Sequence, residues 1–384
     1  METKIQKQTL CDLFVNVCNF KRYALSFILF VTALTMQAQI KAVDSESGEP
    51  VDVASVFDNA TGKFIGLTDA DGNLPSAAEK CSSVSLQHIN YKTCDAVLSL
   101  VEGKQIKMAP YSREIKDVKV SKDPKAKIRM KVAVRTYVYT NGQVAMVSEQ
   151  LCNLYFKNSK SKAIPRYVPM ARTSYADAAI LKSQSRFIRL LAQIGDPTGL
   201  CDYNLCQDYD KLLNGARLPS AWKREGGVTY MNEDSVNKRC EIILDSTFYK
   251  KPFTIWPFPI SFANVYTSET YSMANGKPRL YDMQNKLNMY RIIRKKTGEF
   301  VDYGVEMYVY GIDYATKDAV KSDKQTPLEE FYLPEGLELP DMNPNIKKAM
   351  GRMTKFRHID EILGEDDSLG KDAGGEGASG EAED

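Results

Sequence analysis

The chain has 384 residues, of which 43% are hydrophobic and 26% are charged, a composition that is ordinary for a globular protein. A chain of this length predicts about two domains. The formal net charge is +2, so the molecule lacks the overall positive field that binding to nucleic acid would call for.

The first residues predict an export signal rather than part of the fold. Lys21 and Arg22 precede an uncharged run over residues 23–36. The run is short for a membrane span and suits the core of a signal peptide. We expect a signal peptide over residues 1–38, cleaved after Ala38, and an exported protein in the periplasm or associated with the outer membrane. A retained anchor is the alternative interpretation, and no later segment predicts a transmembrane helix.

The cysteines are consistent with an oxidising compartment. Six of the eight lie beyond the predicted signal peptide, and exported chains can form disulfides. Local spacing makes Cys81 with Cys94, and Cys201 with Cys206, the candidate pairs, although connectivity does not follow from sequence. Free buried thiols are the alternative. The spacings match no common zinc pattern.

Residues 40–120 predict a β-sandwich. Short segments with alternating apolar and polar residues, such as 51–57 and 83–91, are separated by turn residues. About seven such strands without a helical period are typical of a sandwich.

Within this region the stretch GLTDADGNL, at residues 66–74, has three interpretations: a calcium loop, a catalytic carboxylate pair or a turn. An EF-hand loop has glycine at its sixth position and glutamate at its twelfth. Counted from Asp69, Gly72 is fourth and Lys80 is twelfth. No partner base accompanies Asp69 and Asp71. Because an Asp-Gly pair between apolar strands favours a tight turn, we predict a turn.

These residues resemble the carboxypeptidase regulatory-like domain, a transthyretin-like β-sandwich. The matching segments are 42–44, 48–51, 54–56, 66–74, the strand ending in Tyr91, and 115–120. Leu74 and Asn90 stand where the family usually has an aromatic residue and a glycine. In exported envelope proteins of Bacteroidetes-type bacteria, such domains often follow the signal peptide. The resemblance implies a scaffold or docking module over residues 39–121, not a catalyst.

Residues 122–321 predict a second, larger β-rich domain with antiparallel strands and one amphipathic helix. Asn141-Gly142 is a strong hairpin signal between two alternating segments. Residues 174–194 have the apolar spacing of a helix. Residues 322–384 contain four scattered prolines and end in an acidic stretch, which predicts a largely disordered tail. The fold class is therefore mainly β.

Catalytic chemistry has little support in the sequence. The chain has only two histidines, His88 and His358, and neither stands in the motif that a zinc carboxypeptidase needs. We expect no catalytic residue, metal or cofactor. Acidic residues are plentiful, so a carboxylate-dependent hydrolase acting on envelope or dietary polymers is the alternative function.

The most unusual stretch is residues 253–262, which is apolar and aromatic but contains two prolines. It is either a loop packed over the sheet or an exposed apolar lip. In the second interpretation Trp256, Phe258 and Phe262 are candidate binding residues. We therefore expect a non-catalytic envelope protein whose second domain binds a protein partner, a lipid or a glycan.

Overall fold

The computed structural model describes residues 39–110, 127–156, 166–194, 204–214, 220–248, 252–254, 260–274, 276–335 and 337–364. The described residues from Lys41 onward form one compact unit. The predicted signal peptide lies outside the described residues. The protein is mainly β, with antiparallel sheets and a few short helices, as the sequence predicts.

Residues 39–110, here called the N-terminal module, contain two small sheets. Their strands are β1 (Lys41–Asp44), β2 (Ser55–Asp58), β3 (Phe64–Leu67), β4 (Ser83–His88), β5 (Tyr91–Val97) and β6 (Gln105–Met108). β1 pairs with β6 in parallel, and the other four form an antiparallel sheet in the order β3-β2-β4-β5. The period-2 pattern places alternate residues inside: Ile106 and Met108 are buried, whereas Gln105 and Lys107 are exposed.

The turn predicted within residues 66–74 is confirmed. Gly72 N–H donates to Asp69 O (2.9 Å), and Gly72 has a φ of +74°. The Asp69 carboxylate accepts from the backbone N–H of Asp71 (3.0 Å) and of Asn73 (2.8 Å). Burial alone would raise the pKa of Asp69, but the hydrogen bonds from Asn73 and Asp71 hold it below its usual value. The carboxylate is therefore used to close the turn.

Beyond the module, the described strands form an eleven-stranded antiparallel sheet. Its strands are β7 (Lys127–Thr140), β8 (Gln143–Phe156), β9 (Arg166–Ala176), β10 (Ser220–Arg224), β11 (Gly227–Asp234), β12 (Arg239–Asp245), β13 (Phe253–Thr254), β14 (Ile260–Ser272), β15 (Met283–Arg294), β16 (Phe300–Ala315) and β17 (Thr354–Phe356). The order is β10-β11-β12-β14-β15-β16-β7-β8-β9-β17, with β13 beside β14. Asn141 and Gly142, both at positive φ, join β7 to β8 as predicted.

The described part of the chain contains six short α-helices beside the sheet. They are α1 (Ala178–Lys182), α2 (Arg186–Ile194), α3 (Tyr209–Asn214), α4 (Lys317–Gln325), α5 (Pro344–Met350) and α6 (Asp360–Leu363). None of the described helices is long and apolar enough to cross a membrane.

The single helix predicted over residues 174–194 is wrong in its start and its continuity. Residues 174–176 belong to β9, where Ser174 pairs with Ser148. Asp177 then caps α1 by accepting from Ile180 N–H (3.0 Å). Ser183 ends α1, because serine competes for local backbone hydrogen bonds: its hydroxyl donates to Ile180 O (2.7 Å).

The sheet has two covered faces. One face, here called the core face, buries an apolar cluster with residues in strands from β11 to β17 and in α1, α2, α3 and α6. The opposite face carries four smaller clusters. They lie under the N-terminal module, α5, α4 and residues 331–339. The large sheet is thus the central layer of the compact unit.

The boundary predicted for a disordered tail, at residue 322, is too early. Residues 322–335 and 337–364 include α4 to α6 and β17. Phe331, Leu337 and Leu339 pack against the sheet, and Glu329 exchanges backbone hydrogen bonds with Met170 and Arg172. The prolines separate short packed segments, which sequence composition cannot distinguish from disorder. Residues 365–384 lie outside the described residues.

Candidate functional site

The N-terminal module is held on the large sheet by an aromatic cluster. Phe64 stacks on Tyr266 of β14 with ring centroids 4.1 Å apart, and Phe57 meets the same ring edge-on at 5.7 Å. The Ser55 and Tyr266 hydroxyls are 2.8 Å apart. Alternation in β2 turns Ser55 and Phe57 toward the large sheet and leaves Val56 for the core of the module.

Polar contacts surround this cluster. Lys63 forms an ion pair with Asp302 of β16 (2.6 Å). The Asn232 side chain donates to Val53 O (3.4 Å), and Arg239 donates to Ile89 O (3.2 Å). In these three contacts Lys63, Val53 and Ile89 belong to the module. Their partners belong to β16, β11 and β12 of the large sheet, so the module has a defined position on these strands.

Two titratable side chains lie where the module meets the large sheet: Glu241 of β12, which is buried, and His88 of the module, which is half-buried. Glu241 accepts from the Ser268 hydroxyl (2.7 Å) and from Asn232 (3.2 Å), and burial raises its pKa. Burial also lowers the pKa of His88 to about 4, with a smaller opposing effect from a hydrogen bond with Asn232. Both groups lie at the interface, and the described residues contain no group of three or more metal-ligating side chains that could hold a metal.

An open apolar groove lies in the part of the module formed by β5, β6 and the segment between them. We call it the edge groove. Its volume is about 670 Å³, within the range of roughly 300–1,000 Å³ that is usual for ligand pockets. It is lined by Cys94, Ala96, Val97, Leu100, Val101, Glu102, Gly103, Gln105, Ile106 and Lys107. All the lining residues belong to the module.

The walls of the edge groove are the outer edges of two sheets. β5 is the last strand of one small sheet, and β6 is paired on one side with β1. Lys92 N–H donates to Ala109 O (2.8 Å) at the closed end, and Cys94 Sγ lies 3.7 Å from Lys107 O. Beyond Cys94 the two strands have no pairing to each other within the described part of the chain. Unpaired strand edges can accept an added strand.

The groove also exposes large apolar side chains. Leu100 is 75% exposed and Val97 is 48% exposed. A 3₁₀ turn over Leu98–Leu100 follows β5 and carries Leu100 outward. Alternation in residues 96–100 predicts a strand, so the sequence alone does not indicate the turn or the exposure of Leu100.

The aromatic stretch at residues 253–262 is only partly described. Phe262 lies in β14, buried in the core face, where it stacks on Tyr290 with centroids 4.9 Å apart. Its ring is therefore part of the core and not of an exposed lip. Trp256 and Phe258 lie outside the described residues, so their role in binding stays a prediction.

The five described cysteines outside the signal region are free thiols. Cys81 and Cys94 each lie near a backbone carbonyl, that of Ala77 and of Lys107 respectively. Cys206 is buried, and burial raises the pKa of its thiol to about 12. Cys201 lies outside the described residues. The structure therefore does not contain the predicted Cys81–Cys94 disulfide, whereas the Cys201–Cys206 disulfide stays a prediction.

Comparisons with protein-family models and with curated proteins add no assignment. No protein-family model matches the chain, and a comparison with curated protein sequences gives no match. The functional conclusion therefore rests on the geometry of the edge groove and of the surfaces around it.

Proposed function

We propose that this chain is a non-catalytic, exported envelope protein that docks an extended segment of a protein partner in its edge groove. The observation that carries the proposal is the open groove between the outer edges of β5 and β6, with Val97 and Leu100 exposed beside it. The two edges supply backbone donors and acceptors, and the apolar lining supplies affinity.

The energetic argument favours an apolar segment. Removing a side chain such as Leu100 from water contributes about 1.5–3 kcal/mol. Val97 and Leu100 remain exposed although the rest of the module has a well-buried interior. A partner that covers both residues would gain this contribution, whereas a polar ligand would not. Backbone pairing along a strand edge would fix its direction and register.

The position of the module supports a scaffold role. The aromatic cluster and the ion pair between Lys63 and Asp302 hold it on the large sheet, so a partner in the edge groove would be held at a fixed position. We also propose that the module belongs to the carboxypeptidase regulatory-like family. The turn at Asp69–Asn73 and the strands around it support that membership.

Site-specific photo-crosslinking in the native envelope tests the docking proposal. A photoreactive residue at position 100 should form a discrete protein adduct, and Val97→Asp should reduce its yield at least tenfold. The matched control is position 236, because Val236 is 88% exposed but lies outside the groove. Equal adducts at both positions, or only lipid or glycan adducts at position 100, would contradict a protein partner.

A further inference from the structure

A polar cluster interrupts the apolar core face of the large sheet. We define it by residues of three neighbouring strands: Thr136 of β7, Ser148 and Gln150 of β8, and Arg172 and Ser174 of β9. Thr136 pairs with Ser148, Ser148 with Ser174, and Gln150 with Arg172. Because directly paired residues share a face, the five side chains lie in two adjacent rows.

Some polar atoms of the cluster are satisfied within it. The hydroxyls of Ser148 and Ser174 are 3.1 Å apart, and Arg172 Nε donates to Ser174 Oγ (3.1 Å). The Tyr167 hydroxyl donates to Gln150 Oε1 (2.5 Å). Because Gln150 Oε1 accepts from Tyr167, the Gln150 amide has a defined orientation, and its Nε2 takes no part in this hydrogen bond.

Two atoms of the cluster have no partner among the described residues. They are Thr136 Oγ1 and Gln150 Nε2, on side chains that are 0% and 1% exposed. Buried polar atoms are nearly always hydrogen-bonded, so an unsatisfied pair in adjacent rows calls for an explanation. Gln150 Nε2 can only donate, and the threonine hydroxyl can donate as well.

We propose that the polar cluster binds an oxyanion group, a carboxylate or a phosphate, of a small ligand. Gln150 Nε2 and Thr136 Oγ1 would donate to its oxygens, and the Arg172 guanidinium would supply positive charge. None of the five cluster side chains is a carboxylate that would repel an anion. Val305 pairs with Thr136, and Val134 with Gln150, so buried apolar side chains of the core border the cluster. This inference is independent of the edge groove.

Thermal unfolding and calorimetric titration of the full chain test the proposal. The probes are inorganic phosphate, a free anion, and octanoate, a carboxylate with an apolar body, each compared with chloride at equal ionic strength. At ten times its dissociation constant, the preferred probe should raise Tm by about 2 °C or more. Binding of phosphate would indicate that the natural ligand is a free anion. Binding of octanoate alone would indicate that the natural ligand is an amphipathic carboxylate.

Three variants test whether the probe binds at the polar cluster. Thr136→Val keeps the side-chain shape and should weaken binding about tenfold, and Gln150→Glu should abolish it by placing a negative charge in the cluster. Thr229→Val is the matched control, because Thr229 Oγ1 is likewise buried and unpartnered among the described residues but lies on β11. If neither probe binds the wild-type protein, or if Thr136→Val binds as well as wild type, buried water alone satisfies these atoms and the proposal is overturned.

Discussion

At the scale of single residues, packing of the N-terminal module on the large sheet changes the acid–base behaviour of His88 in the module and of Glu241 in β12. Burial disfavours the charged form of the half-buried His88 and of the buried Glu241, and so shifts the two pKa values in opposite directions. The neutral form of His88 therefore favours folding, and so does the protonated form of Glu241. Their effects on stability have opposite signs as pH changes.

The lowered pKa of His88 predicts that the folded protein loses stability in mild acid. Its pKa is about 4 in the folded protein, below the ordinary value of 6.5, so the unfolded chain binds the proton first as pH falls. The free energy of unfolding should decrease from pH 6.5 down to about 4 and then level off with respect to this group. Urea titrations of the wild-type and His88→Gln proteins at each pH measure the effect, since their difference removes the contribution of Glu241. A pH-independent difference would contradict the lowered pKa of His88.

At the scale of secondary-structure elements, tight turns determine how neighbouring strands meet. Gly72 and Gly142 both have positive φ, +74° and +79°, but their surroundings differ. A Cβ at Gly72 would lie 2.5 Å from Ala42 O, whereas a Cβ at Gly142 would meet nothing within 4 Å. The first turn is packed against β1 and the second turn is open.

The surroundings of the two turns predict that a glycine-to-alanine substitution lowers the free energy of unfolding by different amounts. Gly142→Ala should cost about 1 kcal/mol, the penalty for an L residue in the left-handed region. Gly72→Ala should cost at least about 2 kcal/mol, because β1 must also move away from the added methyl group. Chemical denaturation of both variants measures the difference. Equal costs would show that the turn at Gly72 is not packed against Ala42.

At the scale of the whole molecule, the N-terminal module and the large sheet share one interface. Phe64 and Tyr266 stack across it, and Lys63 pairs with Asp302 beside them. A module that was only tethered would have its own unfolding transition. A module that is packed in this way should unfold together with the sheet.

Phe64→Ala tests this cooperativity. Loss of a buried aromatic ring should cost about 3–5 kcal/mol and lower a single unfolding transition. Leu100→Ala is the control within the same module, and it should change stability by less than about 0.5 kcal/mol because Leu100 is largely exposed. Circular dichroism and scanning calorimetry on both variants measure the transitions. Two separate transitions in the wild-type protein would contradict the single unit.

Much of the local structure could be predicted from the sequence because it depends on neighbouring residues. Asp71-Gly72 and Asn141-Gly142 mark real turns, and the alternating segments around them are strands. Prediction was wrong at residues 174–176, which pair with β8 although their apolar spacing continues into a helix. The edge groove and the polar cluster were not predicted. Each is formed by residues that come together only through strand pairing or loop geometry.

The sequence by itself determined the mainly β fold class, the principal turns and the small number of histidines. Those features follow from residue type and from period-2 alternation, which act over a few residues. Only the tertiary structure decided that Phe262 is buried, that residues 322–335 and 337–364 include packed helices and strands, and that Leu100 is exposed. The physical reason is that exposure depends on which distant segment covers a surface. Residue type and local pattern do not contain that information.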